Sequence, residues 1–376
     1  AASDVYKRQH MNYLPNIGFA IALIIGIGYF TRNVKKLVRN IKLGQDVDVS
    51  DQKPQRWRHM LMIAFGQSKM VRRPIAGLLH LVVYIGFIVI NLEVLEIIID
   101  GLFGTHRIFT TVLPDVVYGF LIGTFEILAV LVLVAVMAFW MRRNVIRLQR
   151  FWKPEMTSWP KNDGNIILYF EVVLMTLFLV MNATDASFQD MNSGNIISKY
   201  IASWFSSTPE ATLHIIERTA WWLHILGILV FLNYLYFSKH LHILLAFPNT
   251  YFGRVNHAGA FNNLEAVTKE VKMMMDPNAD PYATPAPDEN AGPPERFGAK
   301  DVMDLTWKQL MDSYTCTECG RCTSVCPANQ TGKKLSPRKI MMDTRDRLED
   351  VGKVIDINKG EFKEDGKSHL RDYVSE

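Results

Sequence analysis

The stretch "VVYGFLIGTFEILAVLVLVAVMAFWM" (residues 116–141) is almost entirely apolar. An α-helix rises about 1.5 Å per residue, so roughly 20 apolar residues cross the hydrocarbon core of a bilayer. The stretch therefore predicts a membrane-spanning helix. Four other segments share its length and composition, and the sequence predicts five spans in all. The other four lie at about Leu14–Phe30, Pro74–Ile99, Asn165–Asn182 and Thr219–Phe237.

The loops between the predicted spans differ in positive charge. Arg32–Arg73 carries eleven Lys or Arg residues and Arg142–Lys161 carries six. The other two loops are poor in basic residues, with Arg107 in one and Lys199 in the other. Because basic loops remain in the cytoplasm, the pattern predicts a multi-pass protein of the cytoplasmic membrane with its N-terminus outside. The chain after about residue 238 is then cytoplasmic.

A basic, amphipathic segment occupies residues 54–73 in the first of these loops, and it predicts a helix lying on the inner membrane surface.

All four cysteines of the 376-residue chain fall within "CTECGRCTSVCP" (residues 316–327). The C-x2-C-x2-C-x3-C-P spacing is typical of [4Fe-4S] ligands, whereas zinc sites usually use separated C-x2-C pairs. We therefore predict iron–sulfur ligation by Cys316, Cys319, Cys322 and Cys326. Clustered thiols fit a reducing compartment better than a disulfide framework.

The fourth cysteine has a different expected role. In two-cluster ferredoxin modules of this spacing it binds the other cluster. We therefore expect Cys326 to lie apart from the other three sulfurs and to point toward a second cluster. The sequence contains no second cysteine motif to complete that cluster.

Histidines near the predicted spans suggest a second cofactor. His80 lies in span 2 and His224 in span 5, and His240 and His242 follow at the end of span 5. Ionisable residues in hydrocarbon are costly and mostly functional. On one continuous helix, His224 and His242 share a face and stand roughly 27 Å apart. That separation suits two stacked b-type haems, each iron taking two imidazoles.

We predict that His80 and His242 bind one haem, with His240 as the alternative to His242. His224 is the candidate ligand of a second haem. The outer half of span 2 contains no histidine that could be its partner, so His106 and His214 in the outer loops are the alternatives. A lone buried histidine is more often a hydrogen-bonded core residue than a ligand, and that interpretation stays open for each.

Acidic side chains also occur within the predicted spans, at Glu93, Glu96, Glu126 and Glu171. Glu93 and Glu126 are candidates for a quinone pocket, where a carboxylate accepts protons from a quinol. Alternatively, they pair with Arg, Ser or Thr groups inside the bundle.

The chain resembles two known families in these features. The five spans with His80, His224 and His242 resemble the cytochrome b subunit, or gamma chain, of respiratory nitrate reductase. "SKHLHILLAFPN" (residues 238–249) and "CTECGRCTSVCP" resemble membrane-bound iron–sulfur oxidoreductases related to heterodisulfide reductase. The resemblance implies menaquinol oxidation, b haems, two [4Fe-4S] clusters and a cytoplasmic electron partner.

The sequence departs from the family pattern at two places. The gamma chain has a second histidine about ten residues beyond the first in its second helix, but positions 90 and 91 here hold Ile and Asn. A second cysteine motif is also missing, so we expect a fragment truncated at its C-terminus. Because Met11 precedes the first apolar run, we expect residues 1–10 to be a non-native or disordered leader.

The predicted fold is an all-α membrane protein, a five-helix transmembrane bundle with a small ferredoxin-type domain that is α-helical and rich in loops. Residues 11–275 form the cytochrome b-like domain, 276–299 a Pro-rich linker, and 300–376 an incomplete cytoplasmic 4Fe-4S domain. Within the last, we predict a helix over about Lys300–Asp312. A second helix should run from the N-cap Ser336 to about Leu348.

The predicted function is that of a quinone-linked oxidoreductase or a subunit of one. Electrons pass between the menaquinone pool, one or two b haems and a [4Fe-4S] cluster, to or from a soluble cytoplasmic redox protein or catalytic subunit. The sequence does not set their direction, and no nucleic-acid partner is expected. A transporter is disfavoured, because broken helices and an internal repeat are not evident.

The alternative is a membrane anchor with a docking or redox-sensing iron–sulfur module and no quinone chemistry. An acidic partner would then contact basic residues that follow the cysteines, unless these simply form a solvated helix face. The residues are Lys333, Lys334, Arg338, Lys339, Arg345 and Arg347.

Overall fold

The computed structural model describes residues 13–256, 263–277 and 297–374. Within these ranges the chain forms helices, and no strand beyond isolated bridges. The prediction of an all-α fold is therefore confirmed. The predicted leader and most of the predicted linker lie outside the described residues.

Among the described residues, five helices are long and apolar enough to cross a membrane, as predicted. They are span 1 (Leu14–Ile41), span 2 (Pro74–Phe103), span 3 (Asp115–Asn144), span 4 (Trp159–Thr184) and span 5 (Glu210–Phe237). Each extends beyond the apolar run that revealed it. In span 1 the helix continues to Ile41 because Leu37 and Ile41 repeat the helical spacing among basic residues and are both buried.

By contacts, the chain divides into two compact units. The bundle unit contains the described residues of 1–35, 66–241 and 317–320. The cluster unit contains those of 36–65, 242–316 and 321–376.

The bundle unit has an aromatic core, with Phe19, Tyr118, Phe125 and Phe178 all 0 % exposed. Its outer surface is apolar as well, with Phe120 77 % exposed. Outward apolar side chains are expected of helices solvated by lipid. Between the spans lie the short helices Phe109–Val112, Ala186–Asp190 and Ser198–Ala202 and the 3-10 turns Gln149–Phe151, Pro154–Met156 and Ser203–Phe205. A further 3-10 turn, Lys239–Leu241, follows span 5.

The cluster unit consists of short helices and one long one. They are Lys53–Met60 with a π-helical turn Leu61–Phe65, His242–Tyr251, Glu265–Met275, Trp307–Thr315, Arg321–Val325, Pro327–Gln330 and Pro337–Ile357, with a 3-10 turn at Val302–Asp304 and a π-type turn at His369–Tyr373. In the segment predicted to lie on the membrane, Trp57 and Leu61 are 54 % and 52 % exposed, which suits that prediction without testing it.

The helix predicted over Lys300–Asp312 is wrong in position. Asp301 caps a 3-10 turn at Val302–Asp304, and Thr306 with Gln309 forms a capping box that starts a new helix at Trp307. Two separate helical elements, Val302–Asp304 and Trp307–Thr315, therefore replace the single predicted helix.

The helix after the cysteines begins as predicted, with the Ser336 side chain accepting a hydrogen bond from the backbone N–H of Lys339. It runs to Ile357 rather than Leu348, because Val351 and Ile355 continue its buried face. Two of its basic residues, Arg338 and Arg347, are only 1 % and 0 % exposed. They are therefore not available to an acidic partner, contrary to the alternative function.

Candidate functional site

A cavity of about 80 Å³ lies among spans 2, 3, 4 and 5 of the bundle unit. Its polar lining residues are Asn91, Glu171 and His224. The rest of the lining is apolar or glycine; it consists of Val83, Gly86, Phe87, Ile90, Val94, Val132, Leu174, Met175, Ile228 and Phe231. Glu171 was recognised in the sequence as an intramembrane acid, but it had no assigned role.

His224 is 1 % exposed and is fixed by a neighbouring backbone group. Its Nδ1 lies 3.0 Å from the carbonyl oxygen of Leu174. Because a carbonyl oxygen only accepts hydrogen bonds, Nδ1 must carry the hydrogen. Within the described residues, Nε2 is buried without a hydrogen-bond partner. A neutral imidazole in this tautomer presents its lone pair on Nε2.

This arrangement has the donor chemistry of a haem axial ligand. Metal-binding histidines usually donate their other N–H to a carbonyl or carboxylate, as His224 does. The volume fits less well, since cofactor pockets are commonly about 300–1,000 Å³. A haem at this position would require lining side chains such as Phe87 and Phe231 to move.

Neither predicted alternative supplies a second imidazole for His224. His214 lies ten residues earlier on the same helix, about 15 Å along its axis, so the two rings cannot bind one iron. His106 has its Nε2 3.2 Å from the Asp185 carboxylate and is absent from the cavity lining.

The predicted register between His224 and His242 is wrong. The helix of span 5 ends at Tyr234, passes into a 3-10 turn, and is interrupted at Ser238, which has extended backbone angles. The cause is Asp163 on span 4, whose carboxylate accepts hydrogen bonds from Ser238 Oγ at 2.7 Å and Lys239 N at 3.0 Å. The two histidines therefore do not share one continuous helix.

The remaining haem candidates occupy separate elements. His80 lies in the second turn of span 2 and is half-buried. His240 lies in the turn Lys239–Leu241, with its ring 5.5 Å from that of Phe231, and His242 begins the helix His242–Tyr251. Ligation by His80 and His242 stays a prediction.

The two candidate quinone residues differ in their surroundings. Glu126 is 0 % exposed and accepts hydrogen bonds from the backbone N–H groups of Ile197 and Ser198 at 2.7 and 3.0 Å. That geometry describes a carboxylate that anchors a loop. Glu93 is 2 % exposed, and its Oε2 has no hydrogen-bond partner among the described residues. Neither lines the cavity described above.

A buried charge network near Glu126 was not predicted. Arg107 donates from Nε to Asp185 at 2.7 Å and from Nη2 to Asn182 at 2.8 Å. Burial acts to raise the pKa of Asp185, but hydrogen bonding to His106 and the charge of Arg107 outweigh it and lower the pKa. In the sequence, Arg107 was visible only as a loop charge, because its partners lie far along the chain.

The cysteines lie on a sequence of short elements. Cys316 follows the helix Trp307–Thr315, Cys322 lies in Arg321–Val325, and Cys326 precedes Pro327–Gln330. No disulfide joins them. Four thiols at this sequence spacing supply the ligand chemistry of an iron–sulfur cluster.

The cysteine side chains do not converge on a single metal position in the described structure. Among the described residues, no three His, Cys, Asp or Glu side chains converge to hold a metal ion. The prediction that Cys326 stands apart from three clustered sulfurs therefore stays a prediction.

Comparison with known proteins identifies the cysteine region. Residues 307–328 match the family described as 4Fe-4S binding domain. The chain is 29 % identical over 343 residues to the probable iron–sulfur-binding oxidoreductase FadF of Bacillus subtilis, covering 90 % of this chain and 43 % of that protein. It is 26 % identical over 307 residues to EtfAB:quinone oxidoreductase of Syntrophomonas wolfei, covering 78 % and 38 %.

A third similarity is confined to a short region. Over 47 residues the chain is 44 % identical to a probable membrane-anchored ferredoxin of Chromohalobacter salexigens, covering 12 % of this chain and 7 % of that protein. No solved structure matches the chain. The chain spans less than half the length of FadF and of EtfAB:quinone oxidoreductase. It carries a 4Fe-4S binding domain, and iron–sulfur oxidoreductases are among its relatives.

Proposed function

We propose that this chain is a membrane electron-transfer subunit of a quinone-linked oxidoreductase. Electrons pass between the menaquinone pool, b-type haem and a [4Fe-4S] cluster, to or from a cytoplasmic redox protein. The observation that carries the proposal is His224, whose Nε2 is buried without a hydrogen-bond partner in the described structure and whose side chain lines a largely apolar cavity. The chain also carries a 4Fe-4S binding domain. The similarity to EtfAB:quinone oxidoreductase supports a quinone as substrate and EtfAB as the candidate partner.

The haem, when bound, supplies one-electron transfer. In the proposal the protein binds it through His224, whose ring orientation is fixed by the Leu174 carbonyl. The lining is apolar apart from Asn91, Glu171 and His224, which disfavours water in the cavity. His80 with His242, or with His240 as the alternative, binds haem at a separate position.

The iron–sulfur ligands are Cys316, Cys319 and Cys322, with Cys326 directed toward a second cluster. The basic loops support a cytoplasmic location for this domain and a position of the N-terminus outside the cytoplasmic membrane.

Glu93 is the proposed proton acceptor or donor for the quinone. A buried carboxyl oxygen without a hydrogen-bond partner in the described structure can take up a proton, whereas both oxygens of Glu126 already accept hydrogen bonds. In the proposal, Glu126 therefore anchors the loop at Ile197 and Ser198, and Glu93 exchanges the proton with the quinone.

The test is the absorbance of b-type haem in purified membranes before and after reduction by a menaquinol analogue. We expect His224→Leu to remove a haem signal that the wild type shows. His214→Leu, an exposed change on the same helix, should retain it. Full haem content in His224→Leu, or no haem in the wild type, would contradict the proposal.

A further inference from the structure

The loop that carries Cys319 has an uncommon backbone conformation. Glu318 has a φ of 54°, in the left-handed region, although it is not glycine. Its side chain is nevertheless buried, at 3 % exposed. A non-glycine residue retains this conformation only where its surroundings determine it.

Lys239 contacts both Glu318 and the end of span 4. Lys239 Nζ forms an ion pair with Glu318 Oε2, and it also donates a hydrogen bond to the carbonyl oxygen of Pro160 at 2.6 Å. Only 11 % of the Lys239 side chain is exposed. All three residues belong to the bundle unit, as does the loop 317–320.

Lys239 is itself held by span 4. Asp163, which is 2 % exposed, accepts hydrogen bonds from Tyr234 OH at 2.6 Å, Ser238 Oγ at 2.7 Å and Lys239 N at 3.0 Å. One carboxylate thus sets the direction in which the chain leaves span 5, and that direction sets the position of Lys239.

A buried ion pair is weak evidence for stability, because removing two charges from water is costly. Such a pair is better explained where it specifies a conformation. Here the conformation is that of a loop joining two cysteines of the iron–sulfur motif.

We propose that Lys239 and Glu318 are positioning residues for Cys319, one of the predicted iron–sulfur ligands, because they fix the backbone of the loop 317–320 to the ends of spans 4 and 5. The proposal rests on the 4Fe-4S binding domain and not on haem or quinone. Neither residue binds iron; both act through the loop.

The experiment uses the full chain in detergent, with the cluster reconstituted anaerobically. The readouts are the rate of iron loss to a chelator, the EPR spectrum of the dithionite-reduced cluster and its reduction potential. Glu318→Gly removes the carboxylate but retains the left-handed backbone at little cost. Lys239→Met removes the charge and keeps the length. Lys353→Met, in an exposed ion pair with Asp350, is the matched control.

We expect Glu318→Gly and Lys239→Met to accelerate iron loss roughly 10–100-fold, as losses of outer-shell partners do. Both should alter the EPR spectrum, and Lys353→Met should match the wild type. Lys239→Glu combined with Glu318→Lys should recover part of the loss.

The proposal would be overturned if Glu318→Gly lost iron at a rate within twofold of the wild type and its EPR spectrum were unchanged. This outcome can be measured even if Lys239→Met fails to fold. If the purified protein contained no haem but the variants still altered the EPR spectrum, the proposed function would be refuted. The positioning role of Lys239 and Glu318 would still be supported.

Discussion

Replacing Arg347 by methionine should increase the frequency with which the helix Pro337–Ile357 of the cluster unit opens locally. Arg347 is 0 % exposed and binds two carboxylates at once. Its Nη2 and Nη1 lie 2.7 Å from Asp301 and 2.6 Å from Asp365, and Nη2 also donates to the carbonyl of Lys367 at 2.9 Å. Methionine retains the volume of the side chain and removes every one of these hydrogen bonds.

The magnitude follows from the burial of the network. Removing one partner of a buried ion pair costs about 3–5 kcal/mol, because the remaining charge has lost its counterion. At about 1.36 kcal/mol per factor of ten, this is roughly a 150- to 5,000-fold increase in the opening equilibrium. An exposed pair contributes about 0–1 kcal/mol, so Lys353→Met on the same helix should change opening less than about tenfold.

The assay is hydrogen exchange of the Pro337–Ile357 amides in the full chain, under conditions where exchange reports the opening equilibrium. Exchange in Arg347→Met that is less than about tenfold faster than in the wild type would refute the reasoning, since that range is what an exposed pair produces.

Acid should affect the same amides. The Arg347 hydrogen bond lowers the pKa of Asp365. Burial acts to raise the pKa of Asp301, but hydrogen bonds from Arg347 and from backbone N–H groups, together with the Arg347 charge, outweigh it and lower the pKa. A carboxyl with a lowered folded pKa contributes stability above its unfolded pKa, which is lost as the pH falls through the folded value. Wild-type protection should therefore decrease below about pH 4, and Arg347→Met should lose most of this dependence.

Three further predictions concern other parts of the chain. Gly44→Ala places a Cβ 2.6 Å from the backbone N of Trp307, so it should destabilise the cluster unit by about 1–3 kcal/mol, seen as a lower midpoint of tryptophan fluorescence on urea unfolding. Arg107→Met leaves Asp185 buried without its strongest cation and should lower the thermal unfolding midpoint of the full chain through a loss of about 3–5 kcal/mol. Ser336→Ala removes an N-cap and should cost about 1 kcal/mol, measured by exchange of the first-turn amides.

The spans were predictable because hydrophobic length is a local property. The break at Ser238 was not, because its cause is Asp163, 75 residues earlier in the chain. The apolar run through span 5 continues to Phe237, and nothing in it indicates where a distant carboxylate interrupts the helix. For that reason the prediction that His224 and His242 share one face of a continuous helix was wrong.

The burial of charged side chains was equally hard to predict from the sequence. The sequence around Arg347 shows a basic helix, and a solvated face is the usual interpretation. Its partners lie 46 and 18 residues away, at Asp301 and Asp365, so only the fold reveals that the guanidinium is buried. For His224 the sequence indicated a functional residue, but the tautomer depends on the carbonyl of Leu174, a backbone group that any residue type would provide.

The pairing of Arg107 with Asp185 also has a consequence for biosynthesis. The two residues are 78 positions apart, and spans 3 and 4 lie between them. At roughly 5–20 residues per second, the ribosome makes Asp185 about 4–16 s after Arg107. Until then, Arg107 lacks this counterion. The network therefore closes only after span 4 has been inserted, which makes this ion pair a late step in assembly of the bundle.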